Sequence, residues 1–258
     1  MARIITLNVN GIRSAARKGV FEWLLTQNAD VICFQETKAQ AHQLNDDAYR
    51  LLGYERYFHD AQKRGYSGVA IYSKHVPRKV TVGLGWPEAD NEGRYIQLDF
   101  ENISVASVYF PSGTSGDARQ AVKFDFLKRF IDHLNAIEAD KKRMIFCADV
   151  NIAHKQIDIK NWQANQKNSG FLPEERAWMD DLIEKRGFVD CFRKRNQAPH
   201  EYSWWSNRGQ ARANNVGWRL DYQLATPSLH SDVVSAEIYR EKRFSDHAPV
   251  VIEYSFEL

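Results

Sequence analysis

The amino-acid sequence predicts an α/β protein, and three features indicate this class. Short apolar runs of strand-forming residues alternate along the chain with segments whose apolar residues repeat at helical spacing. Residues 144–148 form an unbroken apolar run that is too short for an isolated helix and is typical of a strand buried on both faces. Several runs end abruptly in an acid or an amide, as strands do where a site lies at the rim of a sheet. Because no repeat, low-complexity segment or linker interrupts the pattern, residues 1–258 are interpreted as one domain.

The composition is that of a globular chain and narrows the classes of protein that it can represent. The net charge is only +2, so bulk charge does not indicate a nucleic-acid-binding protein, and any basic surface must come from local clustering. Cys33, Cys147 and Cys191 are odd in number and lie among apolar neighbours, which favours reduced core thiols and a cytoplasmic protein. No apolar run is long enough to cross a bilayer and no secretion signal precedes the first strand. We therefore expect a protein that is neither exported nor embedded in a membrane.

The first half of the chain contains five predicted strands and one predicted helix. The first strand ends at Asn8, and Gly11 shortly after it permits a sharp turn. In the helix that follows, residues 18–28 place their apolar side chains on one face, and the next strand closes with Glu36. The last two strands are close enough to form a hairpin. The predicted strands are residues 3–8, 30–36, 68–72, 94–100 and 103–110.

The second half is organised around the strand at residues 143–149. A polar loop and a long amphipathic helix precede this strand, and the apolar residues of the helix recur at three-to-four spacing from Phe124 to Leu134. Two long polar loops follow, residues 157–169 and 202–217, and loops of this length commonly carry function. A helix with Pro173 in its first turn lies between them. The remaining predicted strands are residues 218–225, 232–239 and 249–256.

Acids, amides and one histidine stand at five strand ends or loops. Taken singly, each is more often a turn former than a functional residue. Asp149 and Asn151, however, lie two residues apart at the end of a buried strand and therefore point the same way. Hard oxygen ligands of this kind suit Mg²⁺, whereas no cysteine or histidine cluster has zinc spacing. The group comprises Asn8, Glu36, Asp149, Asn151, Asp221, Asp246 and His247.

Five motifs carry a resemblance to a known family, and they extend from the first strand to the last. In their order and spacing they resemble the exonuclease III type of apurinic/apyrimidinic endonucleases. The resemblance implies the DNase I-like fold of the endonuclease/exonuclease/phosphatase superfamily, a four-layer α/β sandwich in which two packed, mixed and mostly antiparallel sheets are flanked by helices. The motifs are Asn8-Val9-Asn10-Gly11, Gln35-Glu36-Thr37-Lys38, Asp149-Val150-Asn151, the segment from Asn215 to Tyr222, and Ser245-Asp246-His247.

The resemblance assigns a metal and a nucleophile to these residues. Glu36 resembles the principal Mg²⁺ ligand of the family, with Asn8 beside it and Asp246 as a second contributor. Mn²⁺ is the expected substitute ion. Asp149 resembles the residue that orients or deprotonates the attacking water, and Asn151 resembles the residue that steadies it. Phosphodiester cleavage needs such a nucleophile, together with neutralisation of charge on the phosphoryl oxygens.

Three further residues resemble groups that act on the phosphate. Asp221 and His247 resemble the hydrogen-bonded pair of the family. A carboxylate partner favours the imidazolium form of histidine, which would set positive charge against the phosphoryl group as negative charge develops there. Tyr109 resembles the phenol that contacts the scissile phosphate. Without the resemblance, Tyr109 would be read as an aromatic core residue at a strand end.

The two polar loops resemble the segments that contact damaged DNA. Trp204, Trp218 and Leu220 fall where the family forms an apolar pocket for a flipped-out sugar without a base, although composition alone would place them in the core. An abasic nucleotide has little stacking to lose on leaving the helix, so such a pocket selects damage. Contacts from basic side chains go mainly to phosphate and give affinity without sequence preference. The residues that resemble DNA contacts in these loops are Asn165, Lys167, Asn168, Arg208 and Arg212.

The resemblance implies a monomeric, cytoplasmic enzyme, associated with the nucleoid through DNA, whose substrate is double-stranded DNA with abasic sites or damaged 3′ ends. It would cut 5′ to the abasic site in the presence of Mg²⁺, leaving a 3′-hydroxyl. One alternative is a mainly 3′-to-5′ exonuclease with weak abasic-site cleavage. The small Ser169-Gly170 pair favours the endonuclease instead, because it leaves room for a nucleotide beside the lesion. A phosphatase of inositol phosphates or lipids fits the tryptophans poorly. A non-catalytic DNA-binding relative is disfavoured because all the rim residues are intact.

Overall fold

Two six-stranded β-sheets packed face to face form the centre of the computed structural model, which describes residues 1–258. Inward-facing apolar side chains of both sheets make up the largest core, and helices cover the two outer faces in separate apolar layers. Each sheet contains one parallel pair of strands, and its other pairs are antiparallel. The predicted four-layer sandwich of two mixed sheets is therefore confirmed.

Fourteen strands make up the two sheets and one short ribbon. In chain order they are β1 (Ala2–Asn8), β2 (Val31–Gln35), β3 (Glu55–His59), β4 (Val69–Ser73), β5 (Lys79–Val82), β6 (Tyr95–Asp99), β7 (Ser104–Tyr109), β8 (Met144–Asp149), β9 (Val189–Asp190), β10 (Trp204–Trp205), β11 (Gly217–Trp218), β12 (Asp221–Ala225), β13 (Val233–Ile238) and β14 (Val250–Tyr254). The first sheet has the order β13-β14-β1-β2-β4-β3, the second has the order β5-β6-β7-β8-β12-β9, and β10 pairs with β11 in the ribbon.

Seven α-helices lie outside the sheets or in the loops between strands. The long helix predicted before β8 packs its apolar face on the outside of the second sheet, and the two helices after β1 pack on the outside of the first sheet. The helices are α1 (Ile12–Arg17), α2 (Val20–Gln27), α3 (Pro87–Asp90), α4 (Asp117–Ala139), α5 (Trp162–Asn165), α6 (Pro173–Asp180) and α7 (Cys191–Arg195).

Side-chain alternation in β8 shows why polar residues meet between the sheets. Cys147 faces the core between the sheets and Phe146 faces the helical layer, so Asp149, two residues after Cys147, points inward again. Tyr109 at the end of β7 and Asp221 at the start of β12 are the direct register partners of Asp149. Three polar side chains of neighbouring strands therefore come together at one end of the inter-sheet space.

Most of the predicted strands lie where the sequence places them, but one is divided in two and several short or edge elements were missed. The strand predicted over residues 218–225 is two strands, since β11 pairs with β10 while β12 pairs with β8, and Arg219 and Leu220 separate them. The strands β3 and β5 were missed because they lie at sheet edges and leave much of their side-chain surface in solvent, so their apolar pattern is weak. Helix α1 was missed because only Ile12 and Ala15 are buried in its six residues.

Two predictions about composition concern the whole chain. Cys33, Cys147 and Cys191 are all buried and unpaired, which confirms that they are core thiols. No helix combines the length and the apolar surface that crossing a membrane would need.

Candidate active site

The strand ends open into one large cavity of about 820 Å³. Eleven of the sixteen predicted site residues line it, and they come from both sheets and both polar loops. The other five are Asn8 and Asp221, which lie buried behind the lining, and Asn165, Arg208 and Arg212, which lie outside it. The lining members are Glu36, Tyr109, Asp149, Asn151, Lys167, Asn168, Trp204, Trp218, Leu220, Asp246 and His247.

Asp149 is the most deeply placed carboxylate that reaches the cavity, with only 1% of its surface exposed. Its Oδ2 accepts a hydrogen bond from Asn8 Nδ2 at 2.8 Å, and its Oδ1 accepts one from the backbone N–H of Asn151 at 2.9 Å. Burial raises its pKa to about 7, repulsion from Asp221 and Glu36 acts in the same direction, and the charge of His247 opposes both. A carboxylate held in this way is well suited to accept a proton near neutral pH.

His247 and Asp221 form a buried pair directly behind Asp149. The Nδ1 of His247 donates to Asp221 Oδ2 at 2.8 Å, and its Nε2 lies 3.9 Å from Asp149 Oδ2. Burial lowers the pKa of His247, but the Asp221 charge and hydrogen bond, with Asp149 and Asp246, raise it to about 10. The side chain is therefore an imidazolium at neutral pH. Ser203 Oγ also donates to Asp221 Oδ2, at 2.6 Å, and fixes the carboxylate that orients the ring.

Glu36 brings a second carboxylate to the cavity from the first sheet. One carboxylate oxygen each of Glu36 and Asp149 and a ring nitrogen of His247 lie within 4.8 Å of one another. Oε1 of Glu36 accepts from Asn8 Nδ2 at 2.8 Å, and Lys38 Nζ lies 2.7 Å from its Oε2. Burial raises the pKa of Glu36, but Lys38 and Asn8 outweigh that effect and lower it, so the side chain is a carboxylate.

The donor atoms around Glu36 fit a hard divalent cation. Two carboxylates at one point of the cavity are the usual protein contribution to a Mg²⁺ site that is completed by substrate phosphate and water. Asn8 reaches this point, but its amide nitrogen faces the carboxylates, because its Oδ1 accepts from the backbone N–H of Asn10. Asp246 lies outside the close group, where Asn10 and Trp204 donate to its two oxygens.

Tyr109 is held at the cavity floor by an arginine that the sequence reasoning missed. The guanidinium of Arg94 lies 4.8 Å from the centre of the Tyr109 ring and donates to the Tyr109 carbonyl at 2.9 Å. Burial, with the charges of Glu36 and Asp149, raises the pKa of Tyr109, so its hydroxyl keeps its proton and can donate to phosphate. Arg94 is itself buried and paired with Glu92 at 2.6 Å. The signal available in the sequence was an arginine directly before the strand residues Tyr95 and Ile96.

Trp204, Trp218 and Leu220 form an apolar wall beside these charged groups. The two indoles meet edge to face with ring centroids 6.3 Å apart, and Trp204 also lies 6.5 Å from the His247 ring. Gly170 closes the wall, because a Cβ at this position would lie 3.0 Å from the Trp218 ring and its φ of 94° is in the left-handed region. Composition alone favoured core positions for all three residues. The two tryptophans are only partly buried, so this interpretation is wrong for them, whereas Leu220 is buried.

The predicted DNA-contacting residues differ in how close they lie to the cavity. Lys167 and Asn168 line it, whereas Asn165 holds the turn of its own loop by donating to the Asn161 carbonyl at 2.8 Å. Arg208 is exposed, and Arg212 lies with its guanidinium 4.7 Å from the centre of the Trp205 ring. Both arginines thus lie outside the cavity, and Arg212 reaches its rim through a hydrogen bond to the carbonyl of Ser245, which precedes Asp246.

A buried ion pair that the sequence analysis did not predict supports the loop that contains Gly170 and Leu172. Lys123 Nζ and Glu175 Oε1 are 2.6 Å apart, and neither side chain has any exposed surface. Lys123 donates to the carbonyl of Asn151 at 2.8 Å, and Glu175 accepts from the backbone N–H groups of Gly170 and Leu172 at 2.6 and 3.0 Å. The pair therefore ties the Asp149 turn to the loop that closes the apolar wall.

Comparison with known proteins gives consistent results. The model of the endonuclease/exonuclease/phosphatase family matches residues 5–247. The chain is 40% identical over 250 residues to a Bacillus subtilis protein named exodeoxyribonuclease, covering 96% of the chain and 97% of that protein. It is 35% identical over 254 residues to a Danio rerio protein named DNA repair nuclease APEX1, covering 97% of the chain and 81% of that protein. A solved structure of an AP endonuclease from Archaeoglobus fulgidus has a TM-score of 0.90 and 29% identity, covering 99% of this chain and 100% of that one.

Proposed function

Because the chain belongs to the endonuclease/exonuclease/phosphatase family, we propose that it is a Mg²⁺-dependent DNA repair nuclease that cuts duplex DNA on the 5′ side of abasic sites. The cut would leave a 3′-hydroxyl, and the same site would trim damaged 3′ ends. One observation carries the proposal: the buried Asp149 and His247 share a cavity with the apolar wall of Trp204 and Trp218. Hydrolytic groups and a surface for a flipped-out sugar are thus side by side.

The residues at the cavity floor can perform the hydrolysis in named roles. Asp149 orients the attacking water and accepts its proton through Oδ2, while Asn8 and Asn151 hold its carboxylate by hydrogen bonds. His247 presents its Nε2–H and its positive charge to a phosphoryl oxygen, and Asp221 fixes the ring in that orientation. The hydroxyl of Tyr109 donates to another phosphate oxygen. These donors are fixed before substrate arrives, which lowers the reorganisation needed in the transition state.

A divalent cation bound here supplies charge neutralisation at the phosphoryl and leaving oxygens. Glu36 would hold it, with an oxygen of Asp149 close by. We propose Mg²⁺ as the working ion, with Mn²⁺ as a substitute, because the donors are carboxylates. Asn8 supports the proposed site as a hydrogen-bond donor to both carboxylates.

The apolar wall would select the lesion. A sugar without a base can pack against the edges of Trp204 and Trp218, whereas an intact nucleotide must first lose its stacking and then fit its base into the same space. Gly170 sets the width of the pocket, because any side chain there would push against Trp218. The apolar wall therefore favours an abasic substrate over an undamaged one.

A mainly 3′-to-5′ exonuclease is the second candidate, and the similarity to the Bacillus subtilis exodeoxyribonuclease supports it. Both candidates use the same hydrolytic groups and differ in how the strand enters the cavity. For either one we propose a monomer that is associated with the nucleoid through DNA. We propose a cytoplasmic location because Cys33, Cys147 and Cys191 are buried free thiols.

The test is cleavage of a labelled duplex with one abasic analogue, beside an undamaged duplex of the same sequence, with Mg²⁺, with Mn²⁺ and with chelator. A single metal-dependent cut 5′ to the lesion, with the undamaged duplex spared, is the expected result. Stepwise shortening of the undamaged strand from its 3′ end would instead establish the exonuclease. Cleavage that continues in chelator would contradict the metal requirement.

A further inference from the structure

A short loop with three cations and one acid, Glu241, lies beside the predicted DNA-contacting loop but is not among the predicted contacts. Residues 240–243 connect β13 to the buried Phe244, and their three basic side chains, Arg240, Lys242 and Arg243, are exposed. Arg243 Nη2 donates to Asn207 Oδ1, which joins this loop to the loop that carries Arg208 and Arg212. We call residues 240–243 the basic loop.

Two arginines from the two loops meet at one backbone atom next to the active site. Arg243 Nε donates to the carbonyl of Ser245 at 3.3 Å, and Arg212 Nη1 donates to the same oxygen at 3.5 Å. Ser245 precedes Asp246, which lines the cavity. The basic loop thus continues the rim of the cavity outward from Asp246.

The positive charge of this rim is only partly compensated. Arg240 is paired with Glu201 at 3.3 Å, but Lys242 and Arg243 have no carboxylate partner, and Arg212 Nη2 is buried without any acceptor. Burial lowers the pKa of Arg212, and the charges of Arg243 and Arg240 lower it further. Glu201, Glu241 and Asp246 offset only part of this positive charge, so the remaining excess of cations would be stabilised by a bound polyanion.

The cations are also held in place, unlike those of an ordinary solvated surface. The Arg212 guanidinium stacks over Trp205 at 4.7 Å, and Lys242 Nζ lies 5.6 Å from the centre of the Phe244 ring. Lys242 Nζ also approaches Gly19 so closely that a Cβ there would lie 2.7 Å from it. Positively charged groups fixed in this way lose little conformational freedom when they bind a phosphate.

We propose that Arg240, Lys242 and Arg243 bind backbone phosphates of duplex DNA beyond the cavity, on its Asp246 side. The contact would be independent of base sequence and of damage, because it involves phosphate only. It would hold the enzyme on duplex DNA while the pocket samples nucleotides. The inference rests on the proposed function in one respect, namely that the substrate is duplex DNA.

Binding measured in chelator tests the basic loop separately from catalysis. The triple variant Arg240→Gln/Lys242→Gln/Arg243→Gln is titrated with a fluorescent duplex, with and without an abasic analogue, over a range of salt concentrations. Each lost phosphate contact makes the slope of log K against log salt shallower by about one. We expect a slope shallower by about two to three and affinity at low salt weaker by about tenfold or more, equally for both duplexes.

The matched control removes three cations from the opposite end of the second sheet. Arg78→Gln/Lys79→Gln/Lys141→Gln makes the same change in net charge. In the β5–β6 register Lys79 lies opposite Asp99, at the end of the sheet far from Asp149. We expect its slope to stay at the wild-type value. A second variant, Arg240→Lys/Arg243→Lys, keeps the charge and should keep the slope.

Two results would overturn the inference. The first is a wild-type slope in the Arg240, Lys242 and Arg243 triple variant. The second is an equally shallower slope in the control variant, because the effect would then come from net charge alone. Failure of the proposed function would show differently. In that case the wild-type protein would fail to cut the abasic duplex in Mg²⁺, whatever the basic loop does to binding.

Discussion

Neutralising Glu175 should destabilise the protein strongly, although Glu175 lies outside the catalytic group. Its Oε1 is 2.6 Å from Lys123 Nζ with both side chains fully buried, and its Oε2 accepts from the backbone N–H groups of Gly170 and Leu172. In Glu175→Gln the ammonium of Lys123 stays buried without a counter-charge. The new amide nitrogen, which is a donor, must also replace an oxygen that accepts from Lys123 or from the backbone N–H groups of Gly170 and Leu172, so a hydrogen bond is lost.

The size of the effect follows from these contacts. Removing one partner of a buried ion pair costs about 3 to 5 kcal/mol, because the other charge is left uncompensated. The two backbone hydrogen bonds belong to the same network, so their loss overlaps with this figure and is not added to it. For a protein of this size the loss corresponds to a Tm lower by roughly 6 to 20 °C.

The assay is a double-mutant cycle by urea unfolding. Lys123→Met alone should also be destabilising, because it leaves the carboxylate of Glu175 buried alone. The double variant removes both charges and should lose about 1 to 3 kcal/mol less than the sum of the two single variants. Lys128→Met, at an exposed position on the same helix α4, should change stability by less than about 0.5 kcal/mol. A loss below about 1 kcal/mol for Glu175→Gln, or strict additivity in the cycle, would refute the reasoning.

The remaining predictions concern turnover, selection and pH. Asp149→Asn should lower kcat by about 10²-fold or more with the Kd for abasic DNA retained, since a proton acceptor is removed and the shape is kept; an unchanged kcat would remove Asp149 from that role. Trp218→Ala should lower kcat/KM for abasic DNA toward the value for undamaged DNA. An unchanged ratio of the two kcat/KM values would contradict the assignment of Trp218 to the lesion pocket. Although burial raises the pKa of Asp158, Arg219 and Arg193 lower it to about 2, so its carboxylate contributes about 2.5 kcal/mol above pH 4 that is lost as the pH falls toward 2. The stability gap between wild type and Asp158→Asn, measured by urea unfolding, should therefore narrow as the pH falls from about 4 toward about 2; a constant gap would contradict the assignment.

The central strands and the rim residues could be predicted because their signals are local. In β8, for example, an apolar run buried on both faces ends in Asp149, and alternation along the strand fixes which way that acid points. The resemblance then supplied roles for His247, Tyr109 and the tryptophans that no local pattern contains. Alternation alone could not distinguish a pocket tryptophan from a core tryptophan, since both are large, apolar and partly or fully buried.

The supporting residues could not be predicted because their partners are distant in sequence. Lys123 and Glu175 are 52 positions apart, and a lysine on an amphipathic helix reads as a solvent-exposed residue until the loop that covers it is placed. Arg94 gives the same lesson, since it acts on the ring and carbonyl of Tyr109, 15 positions away. The orientation of the Asn8 amide likewise depends on carboxylates supplied by two other strands.

Backbone strain at the strand ends explains why the active site needs this much support. Asn10, Glu36, Lys38 and Asn151 all adopt positive φ, between 42° and 57°, directly after the strands that carry the site. Asparagine tolerates this conformation, but for glutamate and lysine it costs roughly 1 to 2 kcal/mol each. The turn redirects Glu36 from the outer side of its sheet into the cavity, where Asn8 and Lys38 hold it. The chain therefore keeps an unfavourable conformation at Glu36 because surrounding contacts fix it there, and this strain is consistent with the proposed role of Glu36 as the metal ligand.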